Sequence, residues 1–255
     1  MKRKLWTLLL ALGAALALCV GASATDGTKL ETSHGGQTLS GGEYYLDDDV
    51  TISQTITVSG TVTLDLNGYV LKYENNQTHG SPLVVESGGH LTIKDSKPTT
   101  EHTFAPNSDG LWVLDETNGT ETVSGGVITG GTGYQYHKTH PTGEGYTEEA
   151  GGGVCVKSGG SLTMTGGNIV GCSAMSGEGG GVYVEGDFSM TGGSIIGCSA
   201  IKGGGVKVGA WNKDATFNMS GRAVIRDCRC KTNSSAASGG GVYALGKFTM
   251  SDNAA

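Results

Sequence analysis

The chain has 255 residues, a formal net charge of −7, 46 glycines, only 4 prolines and 6% aromatic residues. A net acidic balance argues against nucleic acid or an anionic membrane as a partner, since both demand a basic footprint. The apolar share of 36% excludes a disordered glycine–serine linker, and abundant glycine among short runs of Val, Thr and Ser points to an all-β chain with many tight corners.

In chain order, Lys2, Arg3 and Lys4 form a basic start, an apolar run follows from Leu5 to Val20, and Ala22-Ser23-Ala24 supplies the small residues a signal peptidase reads. The run of about 16 residues falls short of the ~20 that span a bilayer. Residues 1–24 are therefore read as a signal peptide cleaved after Ala24, so that the chain meets the membrane only during export and is secreted or displayed at the cell surface. Past that cut the balance is 17 − 3 = 14 basic against 24 acidic residues, 14 − 24 = −10. Residues 25–37 form a polar N-terminal segment.

From residue 38 short β-rich runs recur: Tyr44-Tyr45-Leu46, Val50-Thr51-Ile52, Ile56-Thr57-Val58, Val62-Thr63-Leu64-Asp65-Leu66, Leu83-Val84-Val85 and Leu91-Thr92-Ile93. Turn formers such as Asn67-Gly68 and Ser87-Gly88-Gly89 separate them. Residues 97–122 and 130–150 break the rhythm and are expected to be excursions. Between them, Ser124-Gly125-Gly126-Val127-Ile128 repeats the later corner Thr165-Gly166-Gly167-Asn168-Ile169.

The strongest pattern follows. Gly-Gly-Gly-Val opens blocks at Gly151, Gly179, Gly203 and Gly239, spaced by 179 − 151 = 28, 203 − 179 = 24 and 239 − 203 = 36 residues. In each block a first strand turns Val154/Val156, Val182/Val184, Val206/Val208 or Val242/Ala244 to one face, with Cys155, Tyr183, Lys207 and Tyr243 on the other. A second strand turns Leu162/Met164, Phe188/Met190, Phe217/Met219 and Phe248/Met250 inward, with Thr163, Ser189, Asn218 and Thr249 outward. A third carries Ile169, Ile195 and Ile225, followed three residues on by Cys172, Cys198 and Cys228.

No unit of three short strands can bury its apolar side alone. Stacking the units places like residues about 4.8 Å apart and pairs every strand with the layers above and below. The expectation is an all-β, right-handed parallel β-helix, a solenoid of three short strands per coil over residues 38–255, with roughly nine coils and a stack on the order of 40 Å. The stop at Asp252-Asn253-Ala254-Ala255, where another corner is due, suggests a truncated chain.

The blocks Gly179–Ala200 (GGGVYVEGDFSMTGGSIIGCSA) and Thr38–Leu71 (TLSGGEYYLDDDVTISQTITVSGTVTLDLNGYVL) resemble secreted bacterial right-handed parallel β-helix proteins with adhesin-like, glycine-rich repeats. The resemblance covers nearly the whole chain past the signal peptide. It implies a non-catalytic exported scaffold that binds a glycan or a surface protein through outward faces and loops. In that family the position of Cys172, Cys198 and Cys228 is commonly asparagine, so cysteine is a departure.

β-Helices also host carbohydrate-active enzymes, polysaccharide lyases and glycoside hydrolases, and that is the alternative. Such an enzyme needs carboxylates converging on one outer face. The acidic cluster Asp47-Asp48-Asp49 is contiguous, so its side chains diverge beside a turn, and Asp65 reads as an outward strand residue. Arg222, Arg226 and Arg229 lie near Asp227 with no matching acidic ladder. No catalytic residue, cofactor or metal site is assigned.

The five cysteines past the signal peptide are Cys155, Cys172, Cys198, Cys228 and Cys230. An interior stack of small side chains is the plainest reading; a disulfide between stacked neighbours and metal binding by Cys228 and Cys230 remain open. The candidate contact surface is the loop with Tyr134, Tyr136, His137, His140 and Tyr146, whose aromatic faces suit a sugar ring or a protein partner. A plain surface loop, or a metal bound by the two histidines, are its other readings. Tyr183 and Tyr243 with Lys207 between them form a second outward strip.

Overall fold

The computed structural model describes residues 27–139, 145–210, 214–231 and 236–255. The signal-peptide reading of residues 1–24 lies outside them. The chain is all-β, with parallel strands in sheets curled into a near-barrel. Its one helical element among the described residues is a 3-10 turn at Thr32–His34.

Four columns of parallel strands build the molecule, named here for their inward residues or their place. The valine column runs through Leu83–Val85, Val154–Val156, Val182–Val184, Val206–Val208 and Val242–Ala244. The phenylalanine column runs through His90–Lys94, Ser161–Met164, Asp187–Met190, Thr216–Met219 and Lys247–Met250. The long strand Ile56–Asp65 belongs to both, and Thr38–Tyr45 pairs along it. The isoleucine column stacks Val50–Ile52, Val70–Tyr73, Val127–Thr129, Asn168–Val170, Ser194–Ile196 and Val224–Arg226. An outer column stacks Gly145–Ala150, Ser173–Glu178, Ser199–Lys202 and Arg229–Cys230. In the later repeats the chain visits valine, phenylalanine, isoleucine and outer columns in that order, then starts again.

Register is locked because a one-residue slip would throw every apolar side chain to the outside. Leu162 pairs with Phe188, Phe188 with Phe217 and Phe217 with Phe248. The rings of Phe188 and Phe217 stack at 4.5 Å and 6°, those of Phe217 and Phe248 at 5.1 Å and 21°. Ile128, Ile169, Ile195 and Ile225 form a like file, and one core cluster runs from Leu30 to Ala223. Each fully buried side chain of this size contributes about 1.5–3 kcal/mol. The corners need glycine: Gly179 has φ of +71°, and a Cβ on Gly181 would lie 2.6 Å from Ile195 Cγ2 and 2.7 Å from the Gly205 carbonyl oxygen.

Two expectations are corrected. There are seven full layers among the described residues, not nine: Thr38–Tyr45, with the short strand Thr28–Lys29 paired on its free edge, Ile56–Asp65, and the five that begin at Leu83, Val154, Val182, Val206 and Val242. Chain spent on an antiparallel sheet (Glu101–Pro106, Trp112–Leu114, Glu121–Ser124) and an antiparallel hairpin (Tyr134–Thr139 with Gly145–Ala150) adds no layer to the stack. The layers beginning at Val154, Val182 and Val206 also hold four strands, not three, because the segment after each Ile-x-x-Cys is extended and pairs with its equivalents.

Candidate functional site

The near-barrel has three outer faces, and the chain itself covers two. Over the isoleucine column lies the antiparallel sheet: Phe104, Trp112 and Val123 pack on Val70, Val127, Val170 and Ile196 in a second buried cluster. Trp112 N donates to the Gly197 carbonyl at 3.1 Å, and the Arg226 guanidinium sits 5.0 Å from the Trp112 ring.

The valine column is covered by the outer column and the hairpin, which corrects the outward strip. Tyr183 and Lys207 are fully buried, as is Cys155. Lys207 Nζ lies 3.1 Å from Glu178 Oε2 on the outer column, donates to the Gly209 carbonyl, and rests 5.5 Å from the Tyr183 ring and 5.6 Å from the Tyr243 ring. Lys202 Nζ bonds the other Glu178 oxygen at 3.0 Å, and Tyr183 OH donates to Glu185 Oε1 at 2.8 Å. Burial pushes the Glu178 carboxyl up, but the charge of Lys207 and the hydrogen bonds from both lysines outweigh it and hold the group below its ordinary value. The arrangement is an internal ion pair in an aromatic sandwich, and it ties the outer column to the valine column.

The expected contact loop borders this region. Tyr134 packs against the cluster of Val84, Ala150, Cys155 and Tyr183, with Lys157 Nζ 5.1 Å from its ring. Lys157 in turn bonds Glu86 Oε1 at 2.6 Å. Burial pulls the Lys157 ammonium down, while Glu86 and Tyr134 push it up and prevail. The hairpin register sets Tyr136 opposite Glu148, His137 opposite Thr147 and Lys138 opposite Tyr146. The side chains of Tyr136, His137 and Tyr146, and all of His140, lie outside the described residues. Of the five loop residues the structure thus places one side chain, Tyr134, and it serves packing.

The acidic residues go to corners. Asp49 Oδ1 accepts from Val70 N at 2.8 Å, and Asp95 accepts from Gly68 N at 2.8 Å and Gly126 N at 2.7 Å. Asp65, far from being a plain outward residue, is buried: it accepts from Asn67 N and Ser96 N, each at 2.9 Å, from the Ser96 hydroxyl, and lies 3.5 Å from Lys94 Nζ. Burial pushes the Asp65 carboxyl up, yet the Ser96 and Asn67 hydrogen bonds overcome it and the net shift is downward. Asp47 pairs with Lys29 at 2.9 Å. These carboxylates link one layer's corner to the next. Among the described residues no group of three or more His, Cys, Asp or Glu is placed to hold a metal.

All five described cysteines are free. Cys198 Sγ faces the Ile196 carbonyl at 3.3 Å and the Ile169 carbonyl of the layer before at 3.8 Å; Cys172 and Cys228 repeat the arrangement. Burial, with the neighbouring Cys172, pushes the Cys198 thiol well above its ordinary value, so it is a neutral donor filling the core.

The third face, the outside of the phenylalanine column, has nothing packed on it among the described residues. Its outward residues align in one row as Thr63, Thr92, Thr163, Ser189, Asn218 and Thr249, and in a row two residues earlier on each strand as Thr61, His90, Ser161, Asp187, Thr216 and Lys247. A parallel row, one place past each inward methionine, holds Thr165, Thr191, Ser220 and Ser251, whose N–H groups bond the preceding layers. None of the residues in these three rows is buried. The sequence showed the outward Thr, Ser and Asn but not that, among the described residues, no segment packs over this face.

Comparison with known proteins found no match, whether to a family model, a curated protein or a solved structure.

Proposed function

We propose that the chain is a right-handed parallel β-helix, exported by residues 1–24, that serves as a non-catalytic adhesin-like scaffold binding a glycan or a surface protein through its outward faces and loops. One observation carries the reading: among the described residues the chain's own segments pack on two outer faces, while the third is left as a register-locked array mostly of hydroxyl and amide side chains, with His90, Asp187 and Lys247 along its edge. The fixed order in which the chain visits its columns supports the solenoid, and the right hand follows from the handedness of parallel crossovers.

The acidic residues favour binding over turnover. A glycoside hydrolase sets two carboxylates about 5–9.5 Å apart across the scissile bond, with oxygens facing the sugar. Asp49, Asp65 and Asp95 instead spend their oxygens on backbone N–H groups, and Glu86 and Glu178 on lysines.

The test is a glycan array run beside a polyuronate-cleavage assay on the same preparation. Saturable binding without product supports the scaffold. Release of new reducing or unsaturated ends overturns it in favour of an enzyme.

A further inference from the structure

Where the repeats are most regular, the bare face carries a single charged side chain, Asp187 at its edge. Over three successive layers it presents Thr163 and Thr165, Ser189 and Thr191, Asn218 and Ser220. We infer that this patch is a binding site for a neutral, extended β-1,4-linked polysaccharide laid along the column, with one sugar over each layer; the inference rests on the scaffold reading above.

Hydrogen-bonding capacity is the first support. The hydroxyls of Thr163, Ser189, Thr191 and Ser220 make no hydrogen bond to any other described part of the protein. By contrast, Thr216 in the flanking row donates to Asp187 at 2.5 Å, and Thr249 donates to Asn218 Oδ1. Four hydroxyls are thus open as both donors and acceptors, the pattern that sugar hydroxyls complement.

Charge selects the class. All six patch residues are uncharged, in a chain of formal net charge −7. A uronate or sulfate polymer would find no cation on the patch and a repelling field around it. A neutral polymer meets neither cost.

Spacing supplies the third argument. Layers repeat at about 4.8 Å, and residues two apart on a strand lie about 6.7 Å from each other. A sugar in an extended β-1,4-linked chain advances by nearly one layer and is turned over relative to the last, so a contact made once recurs at every second layer. The strand backbone is already fixed by buried Met164, Met190 and Met219, which keeps the ordering cost low. Weak contacts then add up along the polymer.

The experiment is co-sedimentation of the purified chain with insoluble cellulose and with chitin. It compares the parent, the double variant Thr163→Lys with Thr191→Lys, and Tyr134→Ala on the hairpin. An unchanged melting temperature checks each fold; should the double variant unfold, Thr191→Lys alone, at an exposed corner, carries the comparison. The expected result is parent binding to at least one matrix, about a tenfold loss in the lysine variant, and no change in Tyr134→Ala. Equal retention of parent and lysine variants overturns the inference, and so does preferred binding to polygalacturonate or heparin. If neither neutral matrix is bound but a glycan or protein probe is captured in a Tyr134-dependent way, the patch assignment falls and the scaffold reading stands. Cleavage of polyuronate with no binding at the patch sinks both.

Discussion

Glu178 and Lys207, 29 residues apart in sequence and on different columns, meet at 3.1 Å with the lysine side chain 1% exposed. A buried pair of this kind is worth little against an apolar replacement, but removing one partner leaves the other's charge without its counter-ion in a low-dielectric site, a loss of about 3–5 kcal/mol. Glu178→Gln is therefore expected to cost about that much at neutral pH. Replacing both residues, Glu178→Gln with Lys207→Met, is expected to recover much of it. Urea denaturation of the three variants and the parent measures the coupling.

The same pair sets a pH dependence. The folded-state carboxyl of Glu178 lies below its ordinary value, so its contribution is complete above the unfolded pKa of about 4.3 and is lost as pH falls through the lower folded value. Asp65 is shifted in the same direction and adds to the effect. Melting temperature followed from pH 7 downward should drop below about pH 4.3, and less steeply in Glu178→Gln than in the parent. Parallel curves would mean that folding leaves the Glu178 carboxyl at its unfolded value.

The phenylalanine file predicts a graded response. Phe217 is fully buried between two stacked rings, whereas Phe248 in the last layer is 36% exposed. Phe217→Ala should cost about 3–5 kcal/mol. Phe248→Ala should cost well under half of that, because less apolar area leaves water there on folding. Chemical denaturation midpoints at constant slope distinguish the two.

The stacked columns were readable because identical inward residues at identical repeat positions are what in-register pairing demands, as Val154, Val182, Val206 and Val242 illustrate. What hid from the sequence was the covering of outer faces. Period-2 alternation puts Tyr183 and Lys207 on the outside of the valine column, and a lysine there reads as solvated. Nothing in the alternation says that Ser173–Glu178 and Ser199–Lys202 run as strands beside that face. Asp65 was misread for a related reason: its partners Ser96 and Lys94 belong to the next layer, 31 and 29 residues on. The hydroxyl row was visible residue by residue, but that no described segment packs over it depends on where the two excursions fold.

Thiol chemistry follows from burial. Cys155, Cys172 and Cys198 are buried, and Cys198 and Cys228 are pushed well above the ordinary thiol value, Cys198 chiefly by burial and Cys228 chiefly by its hydrogen bond to Cys198. The thiolate is the reactive form, so an aromatic disulfide reagent at neutral pH should label Cys172, Cys198 and Cys228 slowly in the native protein and readily in denaturant. Fast native labelling of Cys198, located by peptide mapping, would show that the core opens far more often than this packing implies.

Trp112 offers a way to separate the antiparallel sheet from the stack beneath it. Its ring packs 6.3 Å from that of Phe104 and lies over the Val170 and Ile196 outer row. Beneath it, Gly197 has φ of +59°, and a Cβ there would stand 2.2 Å from the Trp112 ring. Trp112→Ala removes the anchor, while Gly197→Ala lifts it and strains its own backbone; both should release residues 101–124 without disturbing the stacked columns, since local units open with free energies below the global one. The expected signature is new protease cleavage within 101–124 in both variants, with the parallel strands still protected from hydrogen exchange. Loss of protection throughout Val182–Met219 instead would mean that the antiparallel sheet and the columns fold as one cooperative unit.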